Sequence, residues 1–148
     1  MISLDTALEL KGAGLVWVPQ ILDFFAIPDR NMNDRVFVIS DMLVTVDILQ
    51  GMQVVSFQGS SEWALDYLVT TDAVWIPSEM QLRQALEAAL LSLGRPDLKM
   101  TSSLHGYRCD FEFHGKSLSF EAEDVSELYA GALLYVLRDR SPSTGNIA

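Results

Sequence analysis

Apolar positions along this chain repeat with two different periods, and these mark where helices and strands are expected. Over residues 78–93, Leu82, Ala85, Leu86, Ala89, Leu90 and Leu93 fall three or four positions apart, the spacing that lines one stripe of a helix. Ser78 with Gln81 forms a capping box at the start, and Arg83 and Glu87 stand one turn apart as an ion pair. Gly94 and Pro96 end the pattern. A second stripe of Val125, Leu128, Tyr129, Ala132, Leu133, Val136 and Leu137 predicts a C-terminal helix, with Asp124 and Glu127 as its capping box. Arg138 and Arg140 suit the negative end of that helix. Two shorter helices are expected. One begins at Ser3, turns Leu4, Ala7 and Leu8 to one side and stops at Gly12 and Gly14. The other is capped by Ser60 or Ser61 and runs through Trp63 to Leu68.

Around Gln50-Gly51 and His114-Gly115 the period falls to two, and each pair reads as the two-residue loop of a hairpin. In the first, Leu49 faces Met52, Val46 faces Val55 and Val44 faces Phe57. Val44, Val46, Ile48, Val55 and Phe57 then share one face, with Thr45, Asp47 and Ser56 on the other. In the second, Phe111 faces Leu118 and Cys109 faces Phe120 on the apolar side. Arg108 meets Glu121 and Asp110 meets Ser119 opposite. Residues 99–104 supply a third strand there. Residues 15–18, 21–27, 36–39 and 73–76 read as shorter extended pieces. The expected fold is α+β: an antiparallel sheet containing both hairpins, with about four packed helices. Residues 1–140 hold no Gly/Ser/Pro-rich linker and read as one domain, with 141–148 expected to be a disordered tail.

Two phrases recur. Val16-Trp17-Val18-Pro19 returns as Val74-Trp75-Ile76-Pro77, and Val55-Ser56-Phe57 as Leu118-Ser119-Phe120, at offsets of 58 and 63 residues. A duplication would give two half-domains about a pseudo-twofold axis, with a small insertion in one. A coincidence would leave an α+β domain with two Trp-Pro strand ends.

Composition narrows the function. The chain has 148 residues, 49% of them apolar, enough for a real core. No apolar run is long enough to cross a bilayer, and the N-terminus lacks the pattern of a signal peptide. The single cysteine, Cys109, excludes an intrachain disulfide and a multi-cysteine zinc site, which points to a reducing cytosol. Ten Lys and Arg against twenty Asp and Glu give a net charge of −10, a field that repels nucleic-acid backbones and anionic lipid.

No catalytic, cofactor or metal motif is complete. Gly115-Lys116-Ser117 resembles the end of a phosphate-binding loop, but Asp110 stands where its first glycine belongs, and the tripeptide turns a hairpin. Gly12-Ala13-Gly14 follows a helix instead of a strand, so it is a helix stop and not a dinucleotide fingerprint. Asp29, Asn31 and Asn33 have the opening spacing of a calcium loop, yet Asp34 replaces the turn glycine and Ser40 the final glutamate. His105 and His114 lie at turns without converging partners, and Cys109 alternates with Tyr107 and Phe111 as a core residue. Trp17, Trp63 and Trp75 read first as core lids and second as interface anchors. In the adjacent pair Phe24-Phe25 the rings point to opposite faces, so each needs its own cover.

Several phrases together carry a resemblance: Ala13-Gly14-Leu15-Val16-Trp17-Val18-Pro19, Phe25-Ala26-Ile27-Pro28-Asp29, Val36-Phe37-Val38-Ile39-Ser40-Asp41-Met42, Glu62-Trp63-Ala64-Leu65-Asp66 and Trp75-Ile76-Pro77-Ser78-Glu79-Met80-Gln81-Leu82-Arg83. Over residues 1–138 the chain resembles a group of short, acidic, uncharacterised bacterial proteins, some of which carry a pilus-assembly label. The resemblance implies a bacterial source and one folded unit, and it brings no catalytic residues with it.

The leading functional expectation is a cytosolic, non-enzymatic protein-interaction module that self-associates as a homodimer, with no nucleic-acid or membrane partner and no cofactor. Its interface candidates are Phe24, Phe25, Trp17 and Trp75. The alternative is a small enzyme or ligand-binding domain with a site in the 29–41 region, where Asp29, Asn31, Asn33, Asp34, Arg35 and Asp41 gather carboxylates, amides and a guanidinium. A third reading, an acidic inhibitor or immunity-type protein, rests on charge alone.

Overall fold

The structure is a computed structural model that describes residues 1–32, 34–40, 44–57, 67–94 and 97–140. In chain order the elements are α1 (Leu4–Gly12), β1 (Phe24–Ala26), β2 (Phe37–Val38), β3 (Val44–Leu49), β4 (Met52–Phe57) and β5 (Tyr67–Val69). A 3-10 turn (Thr70–Asp72) follows, then β6 (Val74–Ile76), α2 (Glu79–Leu91), β7 (Lys99–Ser103), β8 (Gly106–Phe113), β9 (Lys116–Ala122) and α3 (Val125–Arg140). The class is α+β, but the strands form three antiparallel sheets of three strands each, ordered β2-β1-β6, β3-β4-β5 and β7-β8-β9.

Both hairpins have the predicted register. Val44 faces Phe57, Val46 faces Val55 and Leu49 faces Met52, while Phe111 faces Leu118 and Cys109 faces Phe120. The reason is local. Gln50 and Gly51 have φ of 51° and 77°, and His114 and Gly115 have 49° and 75°, the left-handed pairs whose twist matches the flanking strands. The burial of the first hairpin departs from the simple two-face pattern. Val55 is in the core, but Ile48 on the same face is 71% exposed, because it lies toward the loop. Val54, on the opposite face with Asp47, is fully buried and faces Val69 of β5.

The echo between the halves does not extend to topology. The third strand of β3-β4-β5 follows its hairpin in sequence, whereas the third strand of β7-β8-β9 precedes its own. Of the two Trp-Pro phrases, residues 74–76 form β6 and residues 15–18 join no ladder. Three α-helices lie among the described residues. The fourth was expected to end at Leu68, but Tyr67 and Leu68 belong to β5, where Leu68 faces Val55 and is buried. The rest of that expected helix, with Trp63, lies outside the described residues, as does 141–148.

Two apolar clusters organise the molecule. The larger joins Ala7 and Leu10 of α1, Leu82, Leu86 and Leu90 of α2, and Cys109, Phe111 and Phe113 of β8. From α3 it takes Leu128, Tyr129, Leu133 and Val136. The smaller holds Phe25, Ile27, Ile39, Val55, Leu68 and Ala73, with Trp17 and Phe37 against it. Strand β1 lies between them: Ala26 belongs to the first cluster, and its neighbours Phe25 and Ile27 to the second. On α1, Leu8 is exposed, contrary to expectation, and Leu10 takes the inward place. Residues 36–39 were expected as a buried strand. Phe37–Val38 form β2 and buried Ile39 exchanges backbone hydrogen bonds with Leu22 and Asp23, while Val36 and Val38 are exposed.

The helix ends match the sequence, with one exception that has consequences. Ser3 caps α1 by accepting from the Thr6 N–H, and Ser78 and Gln81 form the full capping box of α2. Asp124 caps α3 through the N–H groups of Ser126 and Glu127, at 2.8 and 3.0 Å. Glu127 does not complete a box there. Its Oε1 accepts from the Ser3 N–H at 2.8 Å and its Oε2 from the Thr6 hydroxyl at 2.9 Å, so one carboxylate serves the start of α1. The basic end of α3 works across the molecule as well: Arg138 pairs with Glu9 of α1 at 2.6 Å, and Arg140 reaches the Ala89 carbonyl and Ser92 hydroxyl at the end of α2.

Candidate functional site

Gly14, with φ of 94°, breaks the chain out of α1. From there burial alternates strictly: Leu15, Trp17 and Pro19 turn inward, while Val16, Val18 and Gln20 are exposed. Alternation of this kind is the mark of extended backbone. Its inward side chains meet two features, a buried carboxylate and a cavity.

The carboxylate is Asp23, 3% exposed. Its Oδ2 accepts from the Trp17 indole N–H at 2.9 Å and from the Gln20 backbone N–H at 3.0 Å. Its Oδ1 accepts from the Gln81 side-chain amide at 2.6 Å. Gln81 is the third helical residue of α2 and completes its capping box, its oxygen accepting from the Ser78 N–H at 2.9 Å. Three neutral donors at the positive end of a helix therefore hold this anion, which satisfies a group that would be costly to bury unpartnered. Asp23 was not among the residues singled out from the sequence. The available signal was a lone carboxylate in the otherwise apolar run Ile21-Leu22-Asp23-Phe24-Phe25.

The cavity, of about 170 Å³, is lined by Ala7 and Lys11 of α1, Leu15, Trp17, Thr70, Thr71, Ala73 and Trp75. The two echoed tryptophans thus meet at one place. Lys11 spans its wall, donating to the carbonyls of Thr71 at 2.5 Å and Ala73 at 3.0 Å. The indole nitrogen of Trp75 is buried and has no acceptor among the described residues. Among the described residues the lining contains no carboxylate, imidazole or thiol, so its polar character is mostly that of a donor. Such a wall suits binding an acceptor better than moving a proton.

The other expected residues fall elsewhere. Asp29, Asn31, Asp34 and Arg35 are exposed, and Asp29 and Asn31 adopt the left-handed conformation that short polar side chains tolerate, with φ of 64° and 57°. Asn33 and Asp41 lie outside the described residues. Among the described residues no group of three or more His, Cys, Asp or Glu is placed to hold a metal ion. Phe25 is fully buried, stacked on Phe37 with ring centroids 5.5 Å apart, and so belongs to the core. Phe24 is 36% exposed and faces Val38, itself exposed, across β1–β2. Of the extended piece 21–27, Phe24–Ala26 form β1, the middle strand of its sheet, paired with β2 on one side and β6 on the other, so it presents no free edge.

Cys109 is fully buried, and burial, with Asp110 beside it, pushes its thiol up from 9.0 to about 11. His105 is exposed, and His114 lies 2.9 Å from Asp139 at the surface. No helix among the described residues is long and apolar enough to cross a membrane. No family model, no curated protein and no solved structure matches this chain.

Proposed function

We propose that this chain is a non-enzymatic protein-interaction module that acts in the bacterial cytoplasm and self-associates. The observation that carries the reading is the apolar surface left uncovered between α1 and β2. Val16, Val18, Ile21, Leu22 and Phe24 are all exposed within nine residues, and Val38 of β2 and Val36 just before it add to them. Each stretch of apolar surface removed from water gains roughly 25 cal/mol per Å², and a concentration of such residues marks a contact surface. Gly12 through Leu22 contain no charged residue in a chain of net charge −10, so two copies meet there with the least repulsion. Sedimentation equilibrium over a salt series tests the reading. A dimer that tightens as salt screens the acidic surface is expected. A monomer at high concentration in both low and high salt would overturn it.

A second reading is supported by the orphaned indole of Trp75 and by Lys11 at the same cavity. A small molecule with an aromatic body and a carboxylate or carbonyl would match that lining. Titration with benzoate, followed by ligand-observed NMR, checks it. Binding lost in Trp75→Phe supports the reading, and no binding, or binding unchanged by the substitution, removes it.

A further inference from the structure

We infer that residues 15–18 are a strand without a partner among the described residues, and that the partner they take is the same segment of a second copy of this chain, antiparallel about a twofold axis near Trp17. The inference rests on the self-association proposed above and says which backbone makes it.

Four observations lead there. The segment Leu15-Val16-Trp17-Val18 is built from residues that favour strands, and its burial alternates as in a strand. Yet the backbone N–H groups of Val16, Trp17 and Val18 have no hydrogen bond to any described residue, although the preceding N–H of Leu15 bonds Leu10 and the following N–H of Gln20 bonds Asp23. The equivalent phrase Val74-Trp75-Ile76 is paired along its length, with Trp75 facing Phe25. One sequence pattern is therefore satisfied in one place and unsatisfied in the other. Finally, Val16 and Val18 are 76% and 67% exposed, so the outward face of the segment is apolar and also uncovered.

An extended segment with free amides and an apolar face accepts another strand by main-chain pairing. The charge pattern selects which strand. A basic peptide would be drawn to the twenty carboxylates of this chain, and no charged residue lies in 12–22 to hold one. The segment is instead complementary to itself. With the axis at Trp17, Val16 of one copy faces Val18 of the other, a β-branched pair on the shared outward face. Pro19 has no N–H to donate and Gly14 leads from the helix, so the ladder is confined to these four residues. The contact is accordingly short and the dimer weak.

The test compares the full chain with two kinds of variant. Hydrogen exchange is measured at a dilute, monomeric concentration and at a concentrated, dimeric one. The amides of Val16 and Val18, which point to the same edge of the strand, are expected to slow only when concentrated, while that of Trp17, on the other edge, is not. Val18→Pro removes an N–H that is unpaired in the monomer, so the dilute protein should keep its thermal midpoint. The dimer loses two symmetry-related bonds and should weaken about tenfold or more. An equimolar mixture of Val16→Cys and Val18→Cys reads the register independently of the proline. It should oxidise to the mixed disulfide in preference to either homodimer, while buried Cys109 stays out of the reaction. If Val18→Pro dimerises like the wild type and the amides exchange alike at both concentrations, while Phe24→Asp abolishes the dimer, strand pairing is wrong and self-association stands. A wild-type protein that is monomeric throughout overturns both.

Discussion

The indole N–H of Trp17 donates to Oδ2 of buried Asp23 at 2.9 Å, and this bond sets which side of the 15–20 segment faces the protein. Trp17 is held inward, with its ring centroid 5.9 Å from that of Phe25, and Val16 and Val18 are thereby turned outward. The inner lining of the cavity and the outer apolar face are two consequences of one side-chain hydrogen bond.

Removing that acceptor should be costly. Asp23→Ala leaves the Trp17 indole, the Gln20 N–H and the Gln81 amide without their shared partner. A fully buried donor left unsatisfied costs about 1–3 kcal/mol; these three are only part-buried, so a loss at the low end of their sum, about 3 kcal/mol, is expected from the urea midpoint. Asp23→Asn keeps one acceptor oxygen and should lose less. An alanine variant as stable as the wild type would show that the network contributes nothing.

Leu133 tests the role of α3. It is 1% exposed within the main cluster, where the helix meets α1, α2 and the β8–β9 hairpin. Leu133→Ala should cost about 2–5 kcal/mol, the usual range when a buried leucine leaves a cavity. Chemical denaturation measures it, and an unchanged midpoint would remove α3 from the core.

Gly106 has no tolerance for a side chain. Its φ is 124°, and an added Cβ would lie 2.6 Å from the carbonyl oxygen of Ala122. The three nearest atoms, the carbonyl oxygen and carbon of Ala122 and the Cα of Glu123, are all backbone, so a rotamer change cannot relieve the clash. Gly106→Ala should destabilise the β7–β8 turn by more than about 1 kcal/mol, whereas Gly115→Ser, in open space at the other turn, pays only for its positive φ. Equal thermal midpoints for the two variants would contradict this.

Cys109 makes stability fall at alkaline pH. In the unfolded chain the thiol ionises near its ordinary 9.0, while in the folded protein burial delays ionisation to about 11. Between those values the unfolded state has released a proton that the folded state still holds, so unfolding becomes easier as pH rises. The loss should total about 2–3 kcal/mol across the window and be absent in Cys109→Ala, after allowance for the stability change at neutral pH. The native thiol should also resist iodoacetamide at pH 8 and react once the protein is unfolded. Rapid labelling of the native protein would contradict the burial.

Glu127 is expected to act through α1. Glu127→Ala frees the Ser3 N–H and the Thr6 hydroxyl, and should raise hydrogen exchange in the first turn of α1 more than in α3, whose own cap is Asp124. The stability cost should be about 1 kcal/mol, typical of a lost cap. Exchange that rises first in α3 would assign Glu127 to the box read from its spacing.

Spacing alone determined whatever is settled within a few residues. The caps at Ser3 and Ser78, the stripes of α2 and α3 and the register of both hairpins follow from local chemistry. A helix cap bonds three residues away, and a two-residue loop with positive φ leaves one register open to the strands beside it. Tertiary structure decided which distant segments meet. It set β1 between β2 and β6, brought Trp17 to Trp75, placed the Gln81 amide on Asp23 and sent Glu127 to Ser3, 124 residues away, instead of to its own helix. Among the described residues it also gave 15–18 no neighbouring strand, where the same phrase at 74–76 found one. The physical reason is that a hydrogen-bonding group or an apolar face is fixed by its own residue, but its partner is fixed by how every other element packs. Nothing in a four-residue phrase distinguishes the copy that will have β1 beside it from the copy that will not.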